Sequence, residues 1–232
     1  MNLTEIISSL EDLRREAYVK AVMRDDVIGY IGSHVDIESL YGQSEFIIPV
    51  HGIDAGILKY SREENLCPLI DATVTYAKTD KCPLIHSSKF IVLDDFCPAM
   101  TREILKLDKD IRVISGKDIH EDERLIRLKY FSELTGLQFY IIEYYTKFLT
   151  RNERSEILDE ILEHVKIYES PVKFIPVRVQ SGGGIYRQID KLYAGKNYRI
   201  LEDFCSIGTA YDFVYKNCPY CEGRMIDYEE GF

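Results

Sequence analysis

Between residues 27 and 114 short apolar runs alternate with helical stretches, and this alternation limits the fold more than any other feature of the chain. Val27 to Ile31, Phe46 to Val50, Lys89 to Leu93 and Ile111 to Ile114 read as strands. Glu63 to Lys78 and Pro98 to Leu107 read as helices between them. Strands spaced by helical crossovers predict a parallel sheet covered by helices. Ahead of this region Leu3, Ile6, Ile7, Leu10, Leu13 and Ala17 recur at helical period. Asn2 and Glu5 have capping-box spacing, so one N-terminal helix is expected, ending near Arg24-Asp25-Asp26.

Residues 119 to 168 read as helical almost throughout. Leu125, Leu128, Phe131 and Leu134 mark one face, and Thr135-Gly136 breaks the run. Tyr140, Tyr144 and Tyr145 fall at helical spacings and are read as packing residues. After Ser170-Pro171 the α/β pattern resumes. Val172 to Val179 reads as a strand, in which Pro176 implies an edge or a bulge. Ile185 to Leu192 reads as a helix and Tyr198 to Leu201 as a strand. The expected architecture is α/β, with two Rossmann- or flavodoxin-like parallel-sheet units joined by helices. Residues 1–118 form the first unit with its N-terminal helix, residues 119–170 the connector, and residues 171–232 a smaller second unit.

With 46% hydrophobic residues over a length of 232, the chain can bury a substantial core. No segment approaches the roughly 20 uncharged apolar residues that a membrane span requires. Met1 to Met23 mixes acidic and basic residues among its apolar ones, unlike a secretory signal, so a cytoplasmic location is expected. The formal charge of −10 argues against nucleic acid and anionic membranes as partners. The chain has six cysteines. In a reducing compartment structural disulfides are the poorer explanation, which leaves metal ligation, redox chemistry or burial.

Two segments are closely similar. Val92-Leu93-Asp94-Asp95-Phe96-Cys97-Pro98-Ala99-Met100-Thr101 matches Ile200-Leu201-Glu202-Asp203-Phe204-Cys205-Ser206-Ile207-Gly208-Thr209. Both run from an apolar residue and Leu through an acid, Asp, Phe and Cys to Thr, and each lies where a strand gives way to a helix. Open α/β sheets bind ligands beyond the carboxyl ends of their strands. A cysteine there meets exposed N–H donors and the positive end of a helix dipole, both of which favour the thiolate that binds metals. If the two units face each other, Cys97 and Cys205 point into one cleft. Cys67 also precedes a proline near a helix start, whereas Cys82 is read as a loop residue. Cys218-Pro219-Tyr220-Cys221 is a single CxxC knuckle, open to three readings: half of a metal site, a dithiol pair or a turn.

At these residues the chain resembles the 2-hydroxyacyl-CoA dehydratase and benzoyl-CoA reductase family, which includes the double-cubane cluster proteins. Val27 to Glu38 resembles the family's opening strand and turn, and Asn65-Leu66-Cys67-Pro68 the segment of its first cluster cysteine. Asp94-Asp95-Phe96-Cys97 resembles the second, and Leu134-Thr135-Gly136 its helical connector. Glu202 to Thr209 resembles the Asp-Asp-x-Cys-x-Gly segment of its second domain. The order of segments matches over about residues 25 to 210, within a connector and second domain shorter than the family's. Pro98 stands where the family has Asp.

The resemblance implies a [4Fe-4S] or related iron–sulfur cluster on Cys67, Cys97 and Cys205, with Cys218 or Cys221 as a further ligand. It also implies low-potential electron transfer to a bound acyl-CoA, an ATP-dependent activator protein and a homologous partner subunit. The alternative is a non-catalytic iron–sulfur or zinc protein in electron delivery, cofactor assembly or scaffolding. A third reading is a thiol–disulfide protein using Cys218 and Cys221, although their place near the C-terminus does not fit a thioredoxin-like pattern. Ser181-Gly182-Gly183-Gly184 is read as a βα turn, since it lacks a P-loop ending and a dinucleotide spacing. His34, at the end of the first strand, is placed beside the cleft, and no histidine pairs with a cysteine at metal-ligand spacing.

Overall fold

A computed structural model describes residues 3–10, 12–32, 35–52, 55–61, 66, 68–95, 98–115, 122–134, 136–171, 174–176 and 199–201. Four strands, β1 (Ile28–Ile31), β2 (Ile47–Pro49), β3 (Phe90–Asp94) and β4 (Ile111–Ile114), form a parallel sheet in the order β2-β1-β3-β4. Ile28 lies opposite both Ile47 and Phe90, and Ile91 lies opposite Ile111. The chain is therefore an α/β protein, as the alternation predicts.

Period-two alternation sends the strand side chains to both faces. Ile31, Ile48, Ile91 and Leu93 enter the larger core, and Ile28, Tyr30, Ile47, Phe90 and Val92 enter the smaller one. Burial on both faces is why β1, β2 and β3 read as continuous apolar runs. β4 is one of the two outer strands, and its Arg112 guanidinium lies 3.5 Å from the centre of the Phe90 ring.

The N-terminal stripe forms two helices, α1 (Leu3–Leu10) and α2 (Leu13–Val22), where the sequence predicts one. Ser9 donates its hydroxyl to the Ile6 carbonyl at 2.7 Å, and Asp12 occupies the position before α2. Such short polar side chains compete with the helical ladder for backbone groups. The apolar stripe runs across the break unbroken, with Ile6, Ile7 and Leu10 buried on one side of it and Ala17 and Ala21 on the other.

Helix α3 (Pro68–Lys78) begins on a proline, suited to a first turn that has no use for its N–H. Residues 63–65 and 67 of the helix predicted over Glu63 to Lys78 lie outside the described residues. A five-residue helix, α4 (Pro83–Ser87), follows where the sequence suggests a loop, with Cys82 as its N-terminal cap residue. Helix α5 (Pro98–Ile104) again opens on a proline, immediately after the turn that leaves β3. The segment expected to be helical contains α6 (Glu123–Phe131), α7 (Gly136–Tyr145), a 3-10 turn at Thr146–Phe148 and α8 (Arg151–His164). Asp122 caps α6 by accepting the Arg124 N–H at 2.9 Å. Thr150 and Glu153 form a reciprocal capping box on α8.

β5 (Phe174–Pro176) and β6 (Arg199–Leu201) pair in parallel, Phe174 opposite Arg199. They form a two-stranded sheet separate from the first among the described residues. Pro176 ends β5 opposite Leu201, a strand-end position where a missing N–H is tolerated. No described helix is long and apolar enough to cross a membrane.

Candidate functional site

The order β2-β1-β3-β4 makes the boundary between β1 and β3 a switch point: from β1 the chain goes on to β2 on one side, and from β3 to β4 on the other. Loops leaving the carboxyl ends of two such strands diverge and open a crevice, the usual ligand position in open α/β sheets. β1 delivers Gly32 to this point, and β3 delivers Asp94 and Asp95. Gly32 has φ of +112°, a conformation that L side chains rarely adopt, and a Cβ on it would collide with the Asp94 carboxylate. Asp94 is thus packed against bare backbone, and it is only 2% exposed. The Asp95 N–H continues the sheet ladder to the Ile114 carbonyl at 3.0 Å, and its carboxylate accepts the Ser115 hydroxyl at 3.3 Å. The acidic pair of the first Asp-Asp-Phe-Cys segment therefore has two roles, one acid closing on β1 and the other tying β3 to the end of β4.

The predicted ligands Cys67, Cys97, Cys205, Cys218 and Cys221 lie outside the described residues, as do His34 and Ser181 to Gly184. The elements around three of the cysteines are described. Cys67 directly precedes α3, Cys97 lies between the end of β3 and the start of α5, and Cys205 follows β6 by four positions. Among the described residues no three His, Cys, Asp or Glu side chains are grouped to hold a metal ion. The one described cysteine, Cys82, is a buried free thiol. Burial pushes its pKa up, against the lowering effects of the Ile85 and Leu84 amides and Arg14, so it is held as a thiol.

A second polar group, not singled out in the sequence, is buried at the exit of β2. His51 follows that strand and is 4% exposed, with no hydrogen-bond partner for Nδ1 or Nε2. Its ring stands 6.4 Å from that of Tyr144 on α7, which packs edge-on to Phe148 at 5.4 Å. Arg14 of α2 reaches the same place, with its guanidinium 5.7 Å from the Tyr18 ring centre and its buried Nε unpartnered. Nearby, Lys147 and Glu143 form an ion pair of 2.7 Å with little exposure.

Burial, then the charges of Lys147 and Arg14, push the His51 pKa down to about 3, so its ring is neutral near pH 7. Burial works against the Arg14 charge too, but Tyr144, Tyr18, Cys82 and Tyr76 raise its pKa and hold it protonated. In sequence, Arg14 is one charge in an ordinary Arg-Arg-Glu stretch and His51 one residue after a strand. Only the packing of α2 and the Thr146–Phe148 turn around the β2 exit sets them apart. The chain matches no protein-family model, and no curated protein matches it.

Proposed function

We propose that this chain is an iron–sulfur protein of the kind its sequence resembles, a short relative of the 2-hydroxyacyl-CoA dehydratase subunits. The observation that carries the reading is the β1/β3 switch point. The Asp-Asp-Phe-Cys segment leaves the sheet there, at the edge where open α/β sheets take ligands, between the end of β3 and a helix that opens on Pro98. A similar segment, Glu202-Asp203-Phe204-Cys205, directly follows β6, in a second parallel pair of strands. In this reading residues 171–232 form a second unit facing the first. Cys67, Cys97 and Cys205 are the ligands, and Cys218 or Cys221 is a further one.

The donor set fits the group. Thiolates are the normal ligands of iron–sulfur clusters, and three of these cysteines lie beside strand ends or helix starts. A bound cluster supplies one-electron chemistry at low potential. In this reading Cys67, Cys97 and Cys205 would hold the cluster as thiolates. The partners of the reading are an ATP-hydrolysing activator, a homologous subunit and an acyl-CoA, in the cytoplasm. The alternative reading is a non-catalytic iron–sulfur protein in electron delivery, cofactor assembly or scaffolding. Zinc is the alternative metal, favoured by the Cys218–Cys221 knuckle.

Purification without oxygen, with iron, sulfide and zinc analysis, tests the reading. The expected protein is brown and carries iron with acid-labile sulfide. Cys97→Ala and Cys205→Ala should each lose the metal, Cys67→Ala should resemble them, and Cys82→Ala should keep it. Colourless protein with stoichiometric zinc would favour the structural-metal reading. Sulfurs of Cys97 and Cys205 more than about 15 Å apart in loaded protein would end it, because one thiolate-ligated cluster spans only about 6–7 Å.

A further inference from the structure

Helix α2 carries apolar side chains on both sides, and the larger ones point outward. Its inward side presents Ala17 and Ala21, both buried, and packs on α4 and on the Thr146–Phe148 turn. By the helical repeat its outward side runs Asp12, Arg15, Glu16, Val19, Val22 and Met23. Val19, Val22 and Met23 are 62%, 66% and 81% exposed. They adjoin one another at helical spacing, whereas the other exposed large hydrophobics, Tyr60, Leu105 and Val113, come from three separate segments. Single exposed apolar residues are ordinary, but a contiguous set is a patch that calls for a partner. Valine is also a poor choice for a helical position that faces only water. It loses rotamer freedom against the preceding turn and regains nothing from packing. A helix apolar on both sides is normally one covered on both sides.

We propose that the outward side of α2 is a self-association surface, on which a second copy of this chain lays its own α2 antiparallel. Charge selects the occupant. The chain carries a formal charge of −10, so two copies repel over most of their surface. Residues 12–26 hold four basic residues, Arg14, Arg15, Lys20 and Arg24, and four acidic ones, Asp12, Glu16, Asp25 and Asp26, so this stretch is neutral. A strongly charged partner finds no net field here, whereas two identical copies meet here with the least repulsion. The direction follows from where the signs lie. Exposed Arg15 precedes the apolar trio and exposed Asp25 follows it. Reversing one copy sets the Val19 of each beside the Met23 of the other, and each Arg15 toward the other copy's Asp25. A parallel arrangement would set like charges together. Within its own chain Arg15 has only the exposed Asp12 at 3.2 Å, a surface pair of little worth. A twofold contact of this kind closes on itself, so it gives a dimer and not a fibre. Three side chains amount to no more than a few hundred Å², against roughly 800 Å² per partner in a standard interface, so the dimer is weak, with a Kd on the order of 10⁻⁴ M. The surface does not involve the cysteine segments and stands or fails apart from the metal reading.

Sedimentation equilibrium of the full-length chain tests this, with the protein kept reduced so that no intermolecular disulfide contributes. Between about 10 µM and about 1 mM the mean mass should climb from that of the monomer toward twice it, as a Kd of about 10⁻⁴ M requires. Val19→Lys combined with Val22→Lys should raise the Kd by about tenfold or more. Both positions are exposed and Lys is the better helix former, so the unfolding temperature of dilute protein should hold or rise. That separates lost association from lost folding. Arg15→Glu alone should weaken the dimer, and Asp25→Lys added in the same chain should restore it. A chain that stays monomeric over the whole range overturns the proposal and leaves the face to a different partner. A dimer that survives the two lysine substitutions overturns it as well, since the copies then meet elsewhere. Failure of the charge exchange to restore the dimer overturns the antiparallel arrangement.

Discussion

His51 shows how a single ordinary residue gains a property from its surroundings. Its folded-state pKa of about 3 lies below the ordinary 6.5 that the unfolded chain displays. The unfolded state therefore binds a proton that the folded state refuses. The stability this residue contributes is whole above pH 6.5 and is lost as pH falls toward 3. At pH 5 the loss amounts to about 2 kcal/mol. The paired acids Asp26, Glu103, Asp122 and Glu153, all held below their ordinary pKa, lose stability only below the usual carboxylate range. Among the described groups with a resolved shift, the window from pH 7.5 to 5 therefore reports on His51. Urea midpoints in chloride buffer should fall across it in wild-type protein and stay nearly level in His51→Gln. Gly32 offers a second residue-scale test. Gly32→Ala forces a side chain into a φ of +112° and against Asp94, at an expected cost of about 2–4 kcal/mol in urea unfolding. A loss below about 0.5 kcal/mol would mean that β1 and β3 do not close on each other as described.

Among the elements, α8 has the clearest local signal. Thr150-Arg151-Asn152-Glu153 has the capping-box pattern, and the Glu153 carboxylate accepts the Thr150 N–H at 2.9 Å. Thr150→Ala should cost about 1 kcal/mol by thermal or chemical unfolding, and Thr150→Ser much less. That pattern places the start of α8 at Arg151, where the helix begins. The four strands of the first sheet were legible to within a residue or so; burial on both faces turns β1, β2 and β3 into apolar runs, whereas β4 is partly exposed. Helix α4 was not legible, since a segment as short as Pro83–Ser87 cannot display a helical period. The break between α1 and α2 was hidden by an apolar stripe that continues across it. At the site, Asp94 and Asp95 could be singled out from the repeat, but their division of labour depends on Gly32 and Ser115, far away in sequence. Arg14 and His51 carried no local signal. The burial of His51 and of the Arg14 Nε arises only when α2 and the Thr146–Phe148 turn pack around the end of β2, and no periodicity records that.

For the whole molecule, the cluster proposal makes a claim about cooperativity. Two units that share one metal through Cys97 and Cys205 should unfold together, because the metal binds only when both supply ligands. Binding to the native arrangement alone then adds its free energy to the stability of both units. Loaded protein should therefore lose its visible absorption and its helical signal in one urea transition. After oxidative removal of the cluster under a chelator, that transition should separate into two, each with a smaller denaturant dependence, since each exposes less surface. Cys205→Ala should behave like the stripped protein without any treatment. Cys82→Ala should keep the single transition at a somewhat lower midpoint, because Cys82 is a buried core thiol. The distinction from a metal held by one unit is direct. With ligands from the Cys218–Cys221 region alone, stripping would lower the stability of residues 171–232 and leave the first sheet's transition where it was. Identical unfolding of loaded and stripped protein would refute a shared cluster, whatever the metal content.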